Sequence, residues 1–168
     1  MVLLITSRPG VRAAERADRL GVEHVVLDEK TIGRDVFDAR MQTMLEEHRV
    51  DLVVLAGFLR KIGPRTLEAF SGRIINTHPA PLPRFGGKGM DGEHVHQAVL
   101  EAGVSESAAT VHWADAEYDT GPVIASERVP VLASDDVPTL RARVQRVEKA
   151  LLIHTINQLL PTIVGWHG

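Results

Sequence analysis

Short apolar runs alternate with amphipathic stretches through the first half of the chain, and this alternation restricts the fold more than any other feature. Val2–Thr6 has the pattern of a buried strand and is ended by Ser-Arg-Pro-Gly. Val11, Ala14, Ala17 and Leu20 then recur at helical spacing, with Gly21 where a helix C-cap glycine belongs. His24–Leu27 reads as the next strand. Arg34–His48 reads as a second helix, with Val36, Phe37, Met41, Met44 and Leu45 on one side. Leu52–Ala56 is a continuous apolar strand ending at Gly57, Leu67–Phe70 a helix remnant, and Arg73–Asn76 another short strand. Such close alternation predicts an α/β fold with a doubly wound, mostly parallel sheet covered on both faces.

The rhythm breaks at Pro79–Gly92, where three prolines and four glycines predict a long loop. A helix over Glu93–Ala102 follows, then strands at Thr110–Trp113 and Val123–Glu127 around the polar loop Ala114–Pro122. The last long element, Pro138–Leu160, carries Leu140, Val144, Val147, Leu151 and Leu152 on one stripe, with candidate N-caps in Ser134–Asp136. Neither an internal repeat nor a low-complexity linker interrupts the chain. Its 168 residues are expected to form a single domain.

Composition removes several functional classes. Lys and Arg number 19 against 22 Asp and Glu, they are scattered, and the net charge is −3, so no basic patch points to nucleic acid or an anionic membrane. The sequence contains 0 cysteines, which excludes disulfides, zinc–thiolate sites and cysteine nucleophiles. The opening apolar run has no basic stretch before it and is too short to span a bilayer, so a cytoplasmic location is the default expectation.

Ligands of open α/β sheets bind beyond the carboxyl ends of the strands. Gly57 with Phe58–Ile62, the tetrapeptide Asn76-Thr77-His78-Pro79, and the acidic loop Asp115–Asp119 are all expected there. Asn76 and His78 stand two residues apart, so in an extended chain both side chains face the same way. An amide donor and an imidazole aimed at one point suit a carbonyl carbon under attack. Both can stabilise an oxyanion, and the imidazole can also move a proton. A carboxylate beside His78 would raise its pKa, and Asp119 is the candidate. With no nucleophile or metal motif nearby, the pattern favours direct transfer over a covalent acyl-enzyme. The same Asn-x-His spacing also fits a turn or a satisfied half-buried pair.

Other motifs carry less. Gly86-Gly-Lys-Gly-Met-Asp-Gly92 lacks the spacing and the hydroxyl residue of a phosphate loop and reads as a long loop, with Lys88 a candidate for substrate contact. Glu93, His94 and His96 resemble a metal cluster only in composition, because helical positions two apart face different sides. His112 follows strand alternation as a polar core residue that could approach the active centre. His24, His48, His154 and His167 carry no signal. Trp113 and Trp166 are expected to pack, and the charges of Arg141–Arg146 to face solvent.

Three segments in order, Asp51-Leu-Val-Val-Leu-Ala-Gly-Phe-Leu-Arg-Lys-Ile62, Ile75-Asn-Thr-His-Pro-Ala-Pro-Leu-Pro83 and Asp119-Thr-Gly-Pro-Val-Ile124, closely resemble the phosphoribosylglycinamide formyltransferases. The resemblance runs from Val2 to about Leu160. It implies a Rossmann-like formyltransferase fold and formyl transfer from 10-formyltetrahydrofolate to the primary amine of glycinamide ribonucleotide in purine biosynthesis. Asn76 and His78 would polarise the formyl oxygen and shuttle the proton, and Asp119 would raise the pKa of His78. Leu59, Arg60, Lys61 and Ile62 would hold the pterin ring, largely through backbone groups. Arg34 and Asp115 would complete the folate site, with the loop Ala114–Asp119 closing its other side. Gly57, Thr77 and Asn76 would face the amine substrate, and Glu148 would accept from its sugar hydroxyls. The resemblance implies small-molecule partners only, no metal, and a monomer or homodimer.

Relative to that family, the sequence lacks its first βα unit, whose Gly-Ser-Asn-type turn presents backbone N–H groups to the substrate phosphate. The missing strand would lie between those equivalent to Val2–Thr6 and Leu52–Ala56. These two are therefore expected to pair directly, or to have the gap filled by another chain. A natural short homologue, a misassigned start and a fragment all fit. Competing functions are N-formyl transfer to another amine such as an amino sugar, hydrolysis of formyltetrahydrofolate, and a degenerate non-catalytic homologue.

Overall fold

A computed structural model describes residues 1–164; the expectations for Trp166 and His167 lie outside the described residues. The chain divides into two compact units, Met1–Val50 with Ile62–Ser71, and Asp51–Lys61 with Gly72 onward.

In the first unit, β1 (Leu3–Thr6) lies parallel to β2 (Glu23–Val26), with Leu3 opposite Glu23 and Thr6 opposite Val26. The connecting helix α1 (Arg12–Arg19) buries Ala14 and Ala17 and ends as its glycine implies, Gly21 adopting φ 64°. A one-turn helix α2 (Glu29–Ile32), capped by the Asp28 side chain, was not legible as an element. Helix α3 (Arg34–Glu47) buries Phe37, Met41 and Leu45 as its periodicity predicts, but Val36 is exposed and Asp38 is buried with the apolar residues. The cause is α4 (Pro64–Ala69). One Asp38 carboxylate oxygen accepts from the backbone N–H of Arg65 at 2.9 Å; the other accepts from Thr66 N–H at 3.1 Å and from its hydroxyl at 2.7 Å. An α3 side chain thus caps the start of α4, whose first-turn N–H groups have no helical partner.

The second unit is a four-stranded mixed sheet in the order β3-β4-β5-β6, with β3 at Val53–Leu55, β4 at Ile74–His78, β5 at Glu106–Trp113 and β6 at Val123–Pro130. β3 and β4 are parallel, whereas β5 and β6 run antiparallel to their neighbours, so the parallel character predicted for the sheet holds only up to β4. Helices α5 (His94–Glu101) and α6 (Val137–Ile163) supply Val95, Val99, Leu140 and Val144 to a core completed by Ala80, Phe85, Ala109 and Val129. Each large member contributes about 1.5–3 kcal/mol through burial. Asp136 and Thr139 form a reciprocal capping box that starts α6 where its N-cap residues predict.

Direct pairing of β1 with β3 does not occur. Among the described residues β1 pairs only with β2, and β3 pairs only with β4. Each keeps one unpaired backbone edge, and the β1 residues are only half-buried, as expected for strands lacking a neighbour.

Candidate active site

The candidate residues of the second unit gather around β4. Asn76 lies directly opposite His112 in the antiparallel β4–β5 register, which puts both side chains on one face. His78, two residues on, emerges on that same face. β5 runs against β4, so Trp113 lies beside Ile75, and the 114–122 loop leaves next to the start of β4. The expectation that this loop follows a strand's carboxyl end beside that of β4 is therefore corrected. The loop folds back instead. Trp113 N–H donates to the Pro122 carbonyl at 2.9 Å, and a Cβ on Gly121 would lie 1.9 Å from the Trp113 carbonyl oxygen, so only glycine allows the return. Asp119 holds a left-handed φ of 57°, unusual without glycine, which aims its carboxylate inward.

That carboxylate is the hub. Oδ1 accepts from Asn76 Nδ2 at 3.3 Å and lies 3.5 Å from His112 Nε2. Oδ2 accepts from the Gly87 N–H at 3.1 Å and lies 3.5 Å from His78 Nδ1. The opposite nitrogen of each imidazole faces a carbonyl: His78 Nε2 is 2.7 Å from Phe85 O, and His112 Nδ1 is 2.9 Å from Trp113 O. A carbonyl only accepts, so these nitrogens carry protons; the other nitrogen of each ring faces Asp119, as a lone pair in the neutral ring and as a donor in the charged one.

The electrostatics follow from that arrangement. For Asp119, burial opposes ionisation, but hydrogen bonding to His112, the field of His78 and the Gly87 N–H outweigh it and hold the carboxyl below its ordinary value. His78 departs from expectation. Asp119 does push its pKa up, yet burial is larger and the net shift is downward, since His78 is 3% exposed and sheds water that would solvate its charge. His96 on α5 is 1% exposed, with no hydrogen-bond partner at Nδ1 among the described residues. Its pKa is pushed down to about 4, chiefly by burial and then by Arg141 and His78. His94 is exposed while His96 is buried, and no group of His, Asp and Glu among the described residues could hold a metal.

Thr77 donates its hydroxyl to Glu148, joining β4 to α6. Gly57 and Leu59 are exposed beyond β3, and Lys61 pairs with Glu117 at 2.6 Å while its ammonium lies 5.3 Å from the Tyr118 ring centre. The 57–61 segment and the 114–119 loop thus meet. Arg60 makes an interaction of its own. Asp115 accepts from Glu117 N–H and the Thr120 hydroxyl, which shapes the loop. Arg34 and Ile62 belong to the first unit, Arg34 exposed at the start of α3 and Ile62 4% exposed. His112, Phe85 and Gly87 are the partners that sequence reasoning did not assign; strand alternation flagged His112 as inward but could not supply the antiparallel register.

Residues 1–156 match the model of the formyl transferase family. The chain belongs to that family. It is 36% identical over 168 residues to phosphoribosylglycinamide formyltransferase, chloroplastic, of Arabidopsis thaliana, covering 99% of this chain and 58% of that protein. It is 43% identical over 135 residues to phosphoribosylglycinamide formyltransferase of Mycobacterium tuberculosis, covering 79% of this chain and 60% of that protein. The chain therefore spans about three-fifths of the length of these two curated relatives. The crystal structure of phosphoribosylglycinamide formyltransferase from Bacillus halodurans superposes with a TM-score of 0.88 at 36% identity, covering 95% of this chain and 80% of that one. This likeness supports a Rossmann-like α/β formyltransferase fold.

Proposed function

We propose that residues 1–168 act as one formyltransferase domain that moves a formyl group from 10-formyltetrahydrofolate to the primary amine of glycinamide ribonucleotide. The observation that carries this reading is the convergence of Asn76 and His78 on Asp119, within 3.3 and 3.5 Å. The names of the related proteins favour glycinamide ribonucleotide over an amino sugar. We place the reaction in the cytoplasm; among the described residues no helix is long and apolar enough to cross a membrane.

The residues present fit a folate. The exposed Leu59, the Tyr118 ring and the polar groups of Lys61 and Asp115 offer apolar and hydrogen-bonding surface to a flat heteroaromatic ring. Arg60 is assigned to the same ligand by family resemblance. When bound, 10-formyltetrahydrofolate supplies an activated formyl group. Asn76 donates to the formyl oxygen as negative charge grows there. His78 is neutral at neutral pH, so with Asp119 it accepts the proton released by the attacking amine. Thr77 holds the Glu148 carboxylate, which accepts from the sugar hydroxyls, and Gly57 leaves room for the amine.

The test is formyl transfer from 10-formyltetrahydrofolate to glycinamide ribonucleotide, followed by absorbance with this chain. Turnover that disappears in His78→Ala while folate binding persists is the expected result. Unchanged turnover in that variant would overturn the assigned roles, and folate binding without any transfer would point to a different acceptor.

A further inference from the structure

The geometry points to His112 as a positioning residue: with both ring nitrogens protonated it turns the amide hydrogens of Asn76 toward the reacting carbonyl, and with one protonated it turns them away. The inference rests on the formyl-transfer reading above and deepens it.

His112 Nδ1 spends its proton on the Trp113 carbonyl at 2.9 Å. In the neutral ring Nε2 is therefore an acceptor, and it takes one amide hydrogen of Asn76 at 3.1 Å. The other amide hydrogen goes to Asp119 Oδ1 at 3.3 Å. Both hydrogens are then used inside the protein, and Asn76 is left with its carbonyl oxygen. An oxygen cannot stabilise a developing oxyanion; it repels it.

Rotating the amide by a half-turn frees both hydrogens for the substrate and brings Asn76 Oδ1 against His112 Nε2. There its lone pairs would face that of Nε2 and also Asp119 Oδ1, which now accepts from the amide at 3.3 Å, unless an Nε2 proton lies between the oxygens. Oxyanion stabilisation by Asn76 thus requires a charged His112, and its counter-charge is in place, because Asp119 Oδ1 lies 3.5 Å from Nε2. The charged and titratable groups that face this ring are Asp119 from the loop between β5 and β6 and His78 from β4, with Glu148 of α6 acting on His78. His112 is 2% exposed, so water cannot substitute for the missing donor.

The test joins a spectroscopic and a kinetic readout. Nitrogen-15 NMR of histidine-labelled protein should show His112 Nδ1 protonated throughout, and Nε2 gaining its proton over the pH range in which kcat rises. His112→Gln, whose amide donates at every pH, should keep kcat within about tenfold of wild type and flatten the alkaline limb. His112→Leu should lower kcat by about a hundredfold, the size expected for an oxyanion donor, with KM for the folate nearly unchanged. Nε2 unprotonated wherever the enzyme turns over would overturn the inference. So would equal kcat losses in the Gln and Leu variants. A folded wild-type chain that binds folate but transfers nothing would sink the formyl-transfer reading, while the nitrogen shifts would still decide the protonation of His112.

Discussion

Asp38 and Asp119 are both carboxylates withdrawn from water, one in each unit, and they are satisfied in opposite ways. Asp38 accepts from two backbone N–H groups and a hydroxyl, all permanent donors, so its hydrogen bonds are complete in a single protonation state. Asp119 accepts from one backbone N–H and one amide, and its remaining neighbours are imidazole nitrogens 3.5 Å away. Those contacts are repulsive or strongly attractive depending on where a proton resides. A structural carboxylate closes its network, whereas a chemical one leaves a position that a proton can fill. Burial alone would not have told the two apart.

The contrast should break most visibly at Asp119. Asp119→Asn is expected to lower kcat by about a thousandfold, because the proton acceptor pair and the counter-charge for His112 are both lost. Its unfolding free energy should stay within about 1 kcal/mol of wild type, since of its two donors the Gly87 N–H can still be met by the substituted amide's oxygen and the Asn76 amide can rotate to suit. Denaturant unfolding run beside the transfer assay checks both halves. A large loss of stability would reclassify Asp119 with Asp38.

Asp38 should show the reverse. Asp38→Ala is expected to cost about 3 kcal/mol by leaving the first-turn N–H groups of α4 and the Thr66 hydroxyl without a partner. Gly63→Ala strikes the same contact from the other side, since its Cβ would fall 2.1 Å from Asp38 Cγ. Both variants should lower the unfolding midpoint. Wild-type stability in either would show that the Asp38 contact is not what holds α4.

These two carboxylates also mark what could be read from the amino-acid order. Asn76, His78 and Asp119 stood out because two of them share a strand face and the third sits in a polar loop closed by Gly121-Pro122. Asp38 did not stand out, because an acidic residue in an amphipathic helix looks solvent-facing until the segment packed over it is known. The β–α alternation was legible through Asn76, where local periodicity suffices. The antiparallel direction of β5 was not, since nothing in an apolar strand encodes its partner's polarity, and the place of His112 opposite Asn76 went unseen with it. The net direction of the His78 shift failed for a related reason: a neighbouring charge can be inferred from a motif, but burial to 3% exposure requires the packed sheet.

Protonation sharpens the comparison further through His96, a buried imidazole with no completed network. Its folded pKa of about 4 lies below the unfolded value of 6.5, so the unfolded chain binds the proton first as the pH falls. Stability is therefore full above pH 6.5 and declines toward pH 4, by about 3 kcal/mol from this group, and His78 adds to the loss in the same direction. Arg141 and His78 work against a charge at His96, and Glu93 only partly opposes them. Urea unfolding at neutral and mildly acidic pH should show a smaller difference for His96→Leu than for wild type. An identical difference would mean that the acid sensitivity arises elsewhere.

The smallest effect is expected where a hydrogen bond positions one side chain and does nothing else. Thr77 points its hydroxyl at Glu148 from the centre of β4, between Asn76 and His78 on the opposite pleat. Thr77→Val keeps the β-branched shape and removes only that donor. Glu148 should then sample other rotamers, and KM for the amine substrate should rise about fivefold, near 1 kcal/mol for one hydrogen bond. Because Thr77 faces away from the Asp119 hub, kcat and its pH profile should not move. A changed pH profile would show that the two faces of β4 are electrostatically coupled through the Glu148 field on His78, which would extend the hub to the other side of the sheet.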